Sequence, residues 1–254
     1  MLSSQEKGMM FTKRKLHYLA VLSVFVQLFF LFADLSLTAQ EIIPNKYGLK
    51  VITIVADYQQ TVAKDSAKKL INLSKAVANI ALELRYSTKN NFTHKKLYTH
   101  AGTAYMRLPA ANALVKVQKE LNKKGLGLKI WDAYRPYEAT ELMWELVKDE
   151  RYTANPAKGS GHNRGLAVDL TLIDLKANKE LDMGTGFDNF TDTAHYDFSQ
   201  LPKEVLQNRL LLKQVMEYYG FKALDTEWWH YYWPNDRDYE LLNLSFTQLK
   251  KLKK

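Results

Sequence analysis

The stretch SGHNRGLAVDLTL, Ser160 to Leu172, sets a histidine and an aspartate seven residues apart around a glycine, inside a run that otherwise reads as a buried strand. Leu166, Val168, Leu170 and Leu172 alternate onto one face of that strand, and Ala167, Asp169 and Thr171 onto the other. A charge buried without a partner costs several kcal/mol, so the carboxylate of Asp169 needs one. In an unbroken strand, residues seven apart point to opposite sides of the sheet, and His162 would not reach it. Asn163, Arg164 and Gly165 supply a turn instead. With the glycine free to take a positive φ, that turn returns the histidine over the strand that follows.

Outward from this strand, LGLKIWDAY at 126–134 predicts a second one. Residues 109–123 predict a helix, with Leu114, Val117 and Leu121 at helical spacing before Gly125. Pro136 opens another that runs to Lys148 with Leu142 and Leu146 on one face, and Pro202 opens a third, whose Val205, Leu210 and Val215 lead to a stop at Gly220. The alanine-, lysine- and leucine-rich segment Ala63 to Leu84 predicts a further helix. Helices and strands mix without a regular βαβ alternation, and no dinucleotide or P-loop glycine pattern occurs. The expected class is α+β: a single domain whose small, mostly antiparallel sheet carries the site and is flanked by helices.

The 254 residues are 46% hydrophobic and 25% charged, the balance of a globular protein. The net charge of +9 raises the question of nucleic acid. Lys and Arg are scattered and no recognition motif accompanies them, so a solvated basic surface is expected and no nucleic-acid partner. At the N-terminus, Lys13, Arg14 and Lys15 precede the mostly apolar run Leu16 to Ala33, and a cut after Ala39 is available. That layout predicts a signal peptide over 1–39, a single mature domain over 40–254 and a periplasmic or secreted location. The alternative is an uncleaved membrane anchor. With no cysteine in the chain, thiolate catalysis and a disulfide framework are excluded, and a metal must be held by histidine and carboxylate.

A second element, EWWHYYW from Glu227 to Trp233, places Glu227 and His230 three apart among aromatic rings that exclude water. A catalytic zinc takes three protein ligands and keeps one position open for water. His162, Asp169 and His230 supply that set. Glu227 is left over, and a free carboxylate beside such a water is what a hydrolase needs to take its proton. The third element is WDAYRP, Trp131 to Pro136. Arg135 closes a strand just before a helix-starting proline, where a guanidinium suits a substrate carboxylate, a developing oxyanion or a structural salt bridge. His94 and His100 lie in a polar stretch with no partner in view and are read as surface residues.

Taken together, SGHNRGLAVDLTL, EWWH, DAYRP, RYSTKNNF (Arg85 to Phe92) and MGTGFD (Met183 to Asp188) closely resemble the motifs of D-alanyl-D-alanine dipeptidases of the vancomycin-resistance type, in the family's order. The resemblance implies one zinc ion on His162, Asp169 and His230, a general base at Glu227 and a transition-state arginine at Arg135. It also implies a small closed pocket for the dipeptide formed with Tyr86, Ser160 and Asp188, the last near the ammonium end. The implied reaction is zinc-dependent hydrolysis of D-Ala-D-Ala to two D-alanines; with the export signal expected over 1–39, its expected role is cell-wall turnover or dipeptide scavenging. Its rivals are a D,D- or L,D-carboxypeptidase on longer stem peptides and a non-catalytic wall-binding protein; the presence of every ligand and the base speaks against the second. Three positions depart from the family's pattern: Tyr196 follows His195 where a second histidine is common, and Lys89 and Asn90 replace a Trp-Asp-like pair.

Overall fold

A computed structural model of the chain describes residues 42–99 and 101–252. The expected signal segment 1–39 and His100 lie outside the described residues. Among the described residues, ten strands run in chain order as β1 (Val51–Ile52), β2 (Leu70–Asn72), β3 (Ala81–Leu82), β4 (Tyr105–Arg107), β5 (Leu126–Asp132), β6 (Ala167–Asp174), β7 (Lys179–Glu180), β8 (Lys222–Leu224), β9 (Glu227–Tyr232) and β10 (Leu241–Leu242). Six of them form one sheet in the order β3-β5-β6-β9-β8, with β7 paired beside β6. Only the β3–β5 pair is parallel within it. The short pairs β1–β10 and β2–β4 stand apart from this sheet.

The alternation in β6 orients the molecule. Val168, Leu170 and Leu172 share a core with Leu128 and Ile130 of β5 and with Leu114, Val117 and Leu121 of the helix Leu108–Asn122. Each such fully buried side chain contributes about 1.5–3 kcal/mol. Leu212, Val215 and Met216 of the helix Lys203–Tyr218 close the same core. The other face of β6, carrying Asp169, is left for the site. Gly165 takes φ +70°, and its N–H donates to the carbonyl of His162 at 3.0 Å, so the predicted turn is present.

Three expectations are corrected. The helix expected over 63–84 is absent: a helix covers Val55–Lys64, and β2, the short helix Leu73–Ala76 and β3 follow. The Asp65 side chain accepts from the Ala67 N–H at 2.9 Å and starts a tighter turn, and Leu70 to Asn72 pair with β4. Backbone pairing to a distant strand outweighs alanine and lysine propensity here. Leu142 and Leu146 are 44% and 53% exposed, because the helix Tyr137–Leu146 buries Tyr137, Ala139, Thr140 and Met143 instead. Leu210 is likewise 53% exposed, since the inward stripe of its helix runs through Arg209. That buried guanidinium donates to the carbonyls of Met183, Thr193 and His195 at 2.8, 2.9 and 3.1 Å, which ties the MGTGFD segment to the helix.

Candidate metal centre

β6 and β9 pair antiparallel with Asp169 directly opposite His230. Side chains of such a pair are immediate neighbours, and Asp169 Oδ1 lies 2.9 Å from His230 Nδ1. His162 arrives from the turn before β6, with its Nε2 3.3 Å from His230 Nδ1 and 3.4 Å from Asp169 Oδ2. Its other nitrogen, Nδ1, donates to the carbonyl of Ala133 at 2.7 Å. That bond assigns the tautomer and leaves the Nε2 lone pair facing the other two donors. The turn is braced from the WDAYRP side. The Arg135 N–H donates to the His162 carbonyl, and the Asn163 amide donates to the carbonyl of Arg135 and to Thr140 Oγ1.

Two irregularities in the sheet aim the remaining groups. The β5–β6 register shifts by one residue at Trp131, so that Asp132 stands opposite Asp169. Such a bulge re-aims side chains, and it places Asp132, Asp169 and His230 in a row across three strands. The β8–β9 register shifts between Ala223 and Leu224, where Leu224 pairs with Glu227. This lets Glu227 and His230, three apart and of opposite parity, border one cavity, with Glu227 Oε2 3.9 Å from His230 Nδ1.

Asp132 is wholly buried and was not singled out in the sequence. It accepts from Tyr98 Oη at 2.6 Å and Arg135 Nε at 2.7 Å, and lies 3.5 Å from His162 Nδ1. The signal was present in WDAYRP, whose aspartate sits three residues before its arginine, but only the register shift shows what it holds. Arg135 also stacks over the Tyr86 ring at 4.8 Å and has Nη2 3.8 Å from Asp169 Oδ2. Replacing Asp132 with asparagine is expected to weaken zinc binding by about 10–100-fold, the usual cost of losing such a support. Competition with a metallochromic chelator measures this, and unchanged affinity would remove Asp132 from that role.

The electrostatics follow from burial and neighbours. Burial works against the charge of Asp169, yet His162 and His230 hold its carboxyl well below the usual carboxylate range. Burial lowers the His230 imidazole, opposed by Asp169. Burial works against Arg135 too, but Asp132, Tyr86 and Asp169 keep its guanidinium charged. Burial pushes Glu227 well above the ordinary range, with Asp169 and Asp188 adding to it. Asp188 is raised to about 7, chiefly by burial and against the hydrogen bond from Tyr86. Although part of the Asp188 residue is exposed, its Oδ2 is buried without a partner while Oδ1 accepts from Tyr86 Oη at 2.7 Å.

All eight site residues expected from the sequence, His162, Asp169, His230, Glu227, Arg135, Tyr86, Ser160 and Asp188, line one cavity of about 220 Å³. Ser160 shapes its wall locally: its Oγ accepts from the His162 N–H and its own N–H donates to Asn163 Oδ1. His94 is exposed. Tyr196, at the departing position, donates through its hydroxyl to the Trp228 carbonyl at 2.8 Å and so braces β9. A larger groove of about 640 Å³, bordered by Tyr58, Val62 and Leu249, contains neither acid nor histidine.

His162, Asp169 and His230 each offer a ligand atom within 4.8 Å of the others. Two nitrogens and one carboxylate, with no lysine among the described residues that line the cavity, fit a single zinc ion and leave a coordination position free, and with the free carboxylate of Glu227 beside them they define a zinc metallopeptidase. The chain belongs to the Peptidase M15 family, described as D-ala-D-ala dipeptidase, whose model matches residues 66–250. It is 36% identical over 179 residues to the D-alanyl-D-alanine dipeptidase of Escherichia coli K12, covering 70% of this chain and 92% of that protein. Against the D-alanyl-D-alanine dipeptidase of Enterococcus faecium the identity is 32% over 178 residues, covering 63% and 88%. The LdcB LD-carboxypeptidase structure aligns at 22% identity over 51% of this chain and 59% of that one with a TM-score of 0.34, too loosely to weigh in the assignment.

Proposed function

We propose that this protein hydrolyses the free dipeptide D-Ala-D-Ala to two D-alanines. What supports a dipeptide over a longer stem peptide is the cavity. Its volume of about 220 Å³ lies below the roughly 300–1,000 Å³ of pockets for drug-sized ligands. Its unpartnered Asp188 Oδ2 suits the ammonium that only an unblocked peptide carries.

His162, Asp169 and His230 would hold a zinc ion, which when bound would acidify water and polarise a carbonyl oxygen. Glu227 takes the proton from the attacking water and delivers it to the leaving amine nitrogen as the peptide C–N bond breaks. Arg135, fixed by Asp132, donates to the oxyanion as it forms. Tyr86 and Asp188 hold the ammonium end, and Ser160 keeps the turn that presents His162. Free D-alanine should be released by the zinc-loaded chain from D-Ala-D-Ala and not from N-acetyl-D-Ala-D-Ala, and a chelator should stop it. Comparable release from the acetylated compound would make the protein a carboxypeptidase.

We place the reaction outside the cytoplasm, in cell-wall turnover or dipeptide scavenging, on the strength of residues 1–39 as an export signal followed by a catalytic domain over 40–254. Among the described residues, no helix is long and apolar enough to cross a membrane. Fractionation should recover the protein beyond the inner membrane beginning at Gln40. Recovery from the cytosol alone would refute this location.

A further inference from the structure

We propose that the stacked rings of Tyr152, Phe190 and Phe92 wall off the amino side of the cavity and so exclude peptides extended at the amino end. This deepens the dipeptide reading and rests on it. The three rings come from segments far apart in sequence. Tyr152 stacks on Phe190 with centroids 5.0 Å apart and planes at 28°. Phe190 meets Phe92 edge-on at 5.2 Å, and Phe92 meets Tyr86 edge-on at 6.2 Å. The Tyr86 hydroxyl donates to Asp188 at 2.7 Å. The row of rings therefore ends on the acid assigned to the ammonium, and Tyr152 and Phe92 themselves border the cavity.

The segment carrying Tyr152 is held in place. The Thr153 N–H donates to the Asp149 carbonyl at 2.9 Å, and Thr153 Oγ1 donates to Val147. The carbonyl of Arg151 accepts from Thr226 Oγ1 at 3.3 Å, which pins the segment beside Glu227. Phe187 packs on Tyr86, Trp131 and Trp229 at 5.6, 5.1 and 5.7 Å, so the neighbour of Asp188 is fixed as well.

An amino-terminal acyl group meets two obstacles here. It removes the ammonium and leaves Asp188 Oδ2 without a partner. It also adds volume where Phe92 and Tyr152 stand. Discrimination by a built-in clash is a standard route to specificity, and opening the stack relieves the clash while leaving the charge in place.

The test compares the purified, zinc-loaded full chain with Tyr152→Ala and Phe190→Leu, measuring kcat/KM on D-Ala-D-Ala and on N-acetyl-D-Ala-D-Ala. Both variants should raise the acetylated-to-free ratio about tenfold, a common reach for steric discrimination. An unchanged ratio in a variant with wild-type melting behaviour overturns the proposal. Loss of both activities in such a variant overturns it too, because the rings would then serve the site rather than bar it. Should Tyr152→Ala fail to fold, Phe190→Leu, which keeps an apolar side chain but no ring to stack, decides the matter. The wild type acting equally on both compounds refutes the dipeptide reading, whereas the change of ratio between variant and wild type judges the stack alone.

Discussion

Glu227→Ala should lose turnover on D-Ala-D-Ala by about 10²–10⁴-fold, the usual contribution of a positioned general base, while still binding one zinc per chain. The two halves of this result come from different observations. Glu227 is outside the converging donor set, so its removal leaves the metal's ligands in place. It nonetheless borders the same cavity, 3.9 Å from His230. Burial, with Asp169 and Asp188 nearby, raises the affinity of its carboxyl for a proton. A carboxyl whose hold on a proton is strengthened in this way is better suited to accept one from water than an ordinary exposed carboxylate. Glu227→Gln, which keeps the volume and removes the charge, should fail in the same way. Zinc content by mass spectrometry alongside steady-state rates separates the outcomes: near wild-type turnover would exclude Glu227 as the base, and loss of zinc would make it a ligand.

Removing the metal should abolish activity and expose a pH-dependent instability. Asp188 has its carboxyl raised from 3.8 to about 7 by burial. Below the lower value, folded and unfolded chains both hold the proton and nothing is lost. Between the two, the folded chain keeps a proton that the unfolded chain has released, so stability falls as pH rises; above about 7 the full penalty applies. The shift corresponds to roughly 2–4 kcal/mol once the partial exposure of the residue is allowed for, or roughly 5–15 °C in Tm for a protein of this size. Glu227 acts in the same direction. His230, lowered by burial, acts in the opposite one below its ordinary 6.5. Asp188→Asn isolates the first effect. In chelator, the wild type should lose more Tm than this variant between pH 5 and pH 8, and zinc should narrow the gap. Equal losses in the two proteins would show that Asp188 does not carry the penalty.

The local code of the site was legible because it is short in range. A histidine, a turn with a glycine at positive φ and an alternating strand are contiguous in Ser160–Leu172, and the structure has that turn and that strand. The helix Leu108–Asn122 was legible for the same reason, since Pro109 near its start and a regular apolar stripe are local properties. The segment 63–84 was not, because its strand β2 exists only through pairing with β4. Nor were the buried faces of the helices Tyr137–Leu146 and Lys203–Tyr218. There the inward residues include Thr140 and Arg209, whose partners are a side chain and backbone carbonyls from other segments.

The sequence alone determined the donor types, their order and the turn that frees His162 to reach Asp169, since backbone stereochemistry and the absence of cysteine leave few other arrangements. Only the tertiary structure decided that Asp132 lies against Arg135 and His162, that Glu227 and His230 border one cavity, and that the rings of Phe92, Tyr152 and Phe190, from three segments, pack together beside it. The reason is register. A shift of one residue turns a strand's side chains to the opposite face, and the shifts at Trp131 and between Ala223 and Leu224 depend on which strands lie alongside.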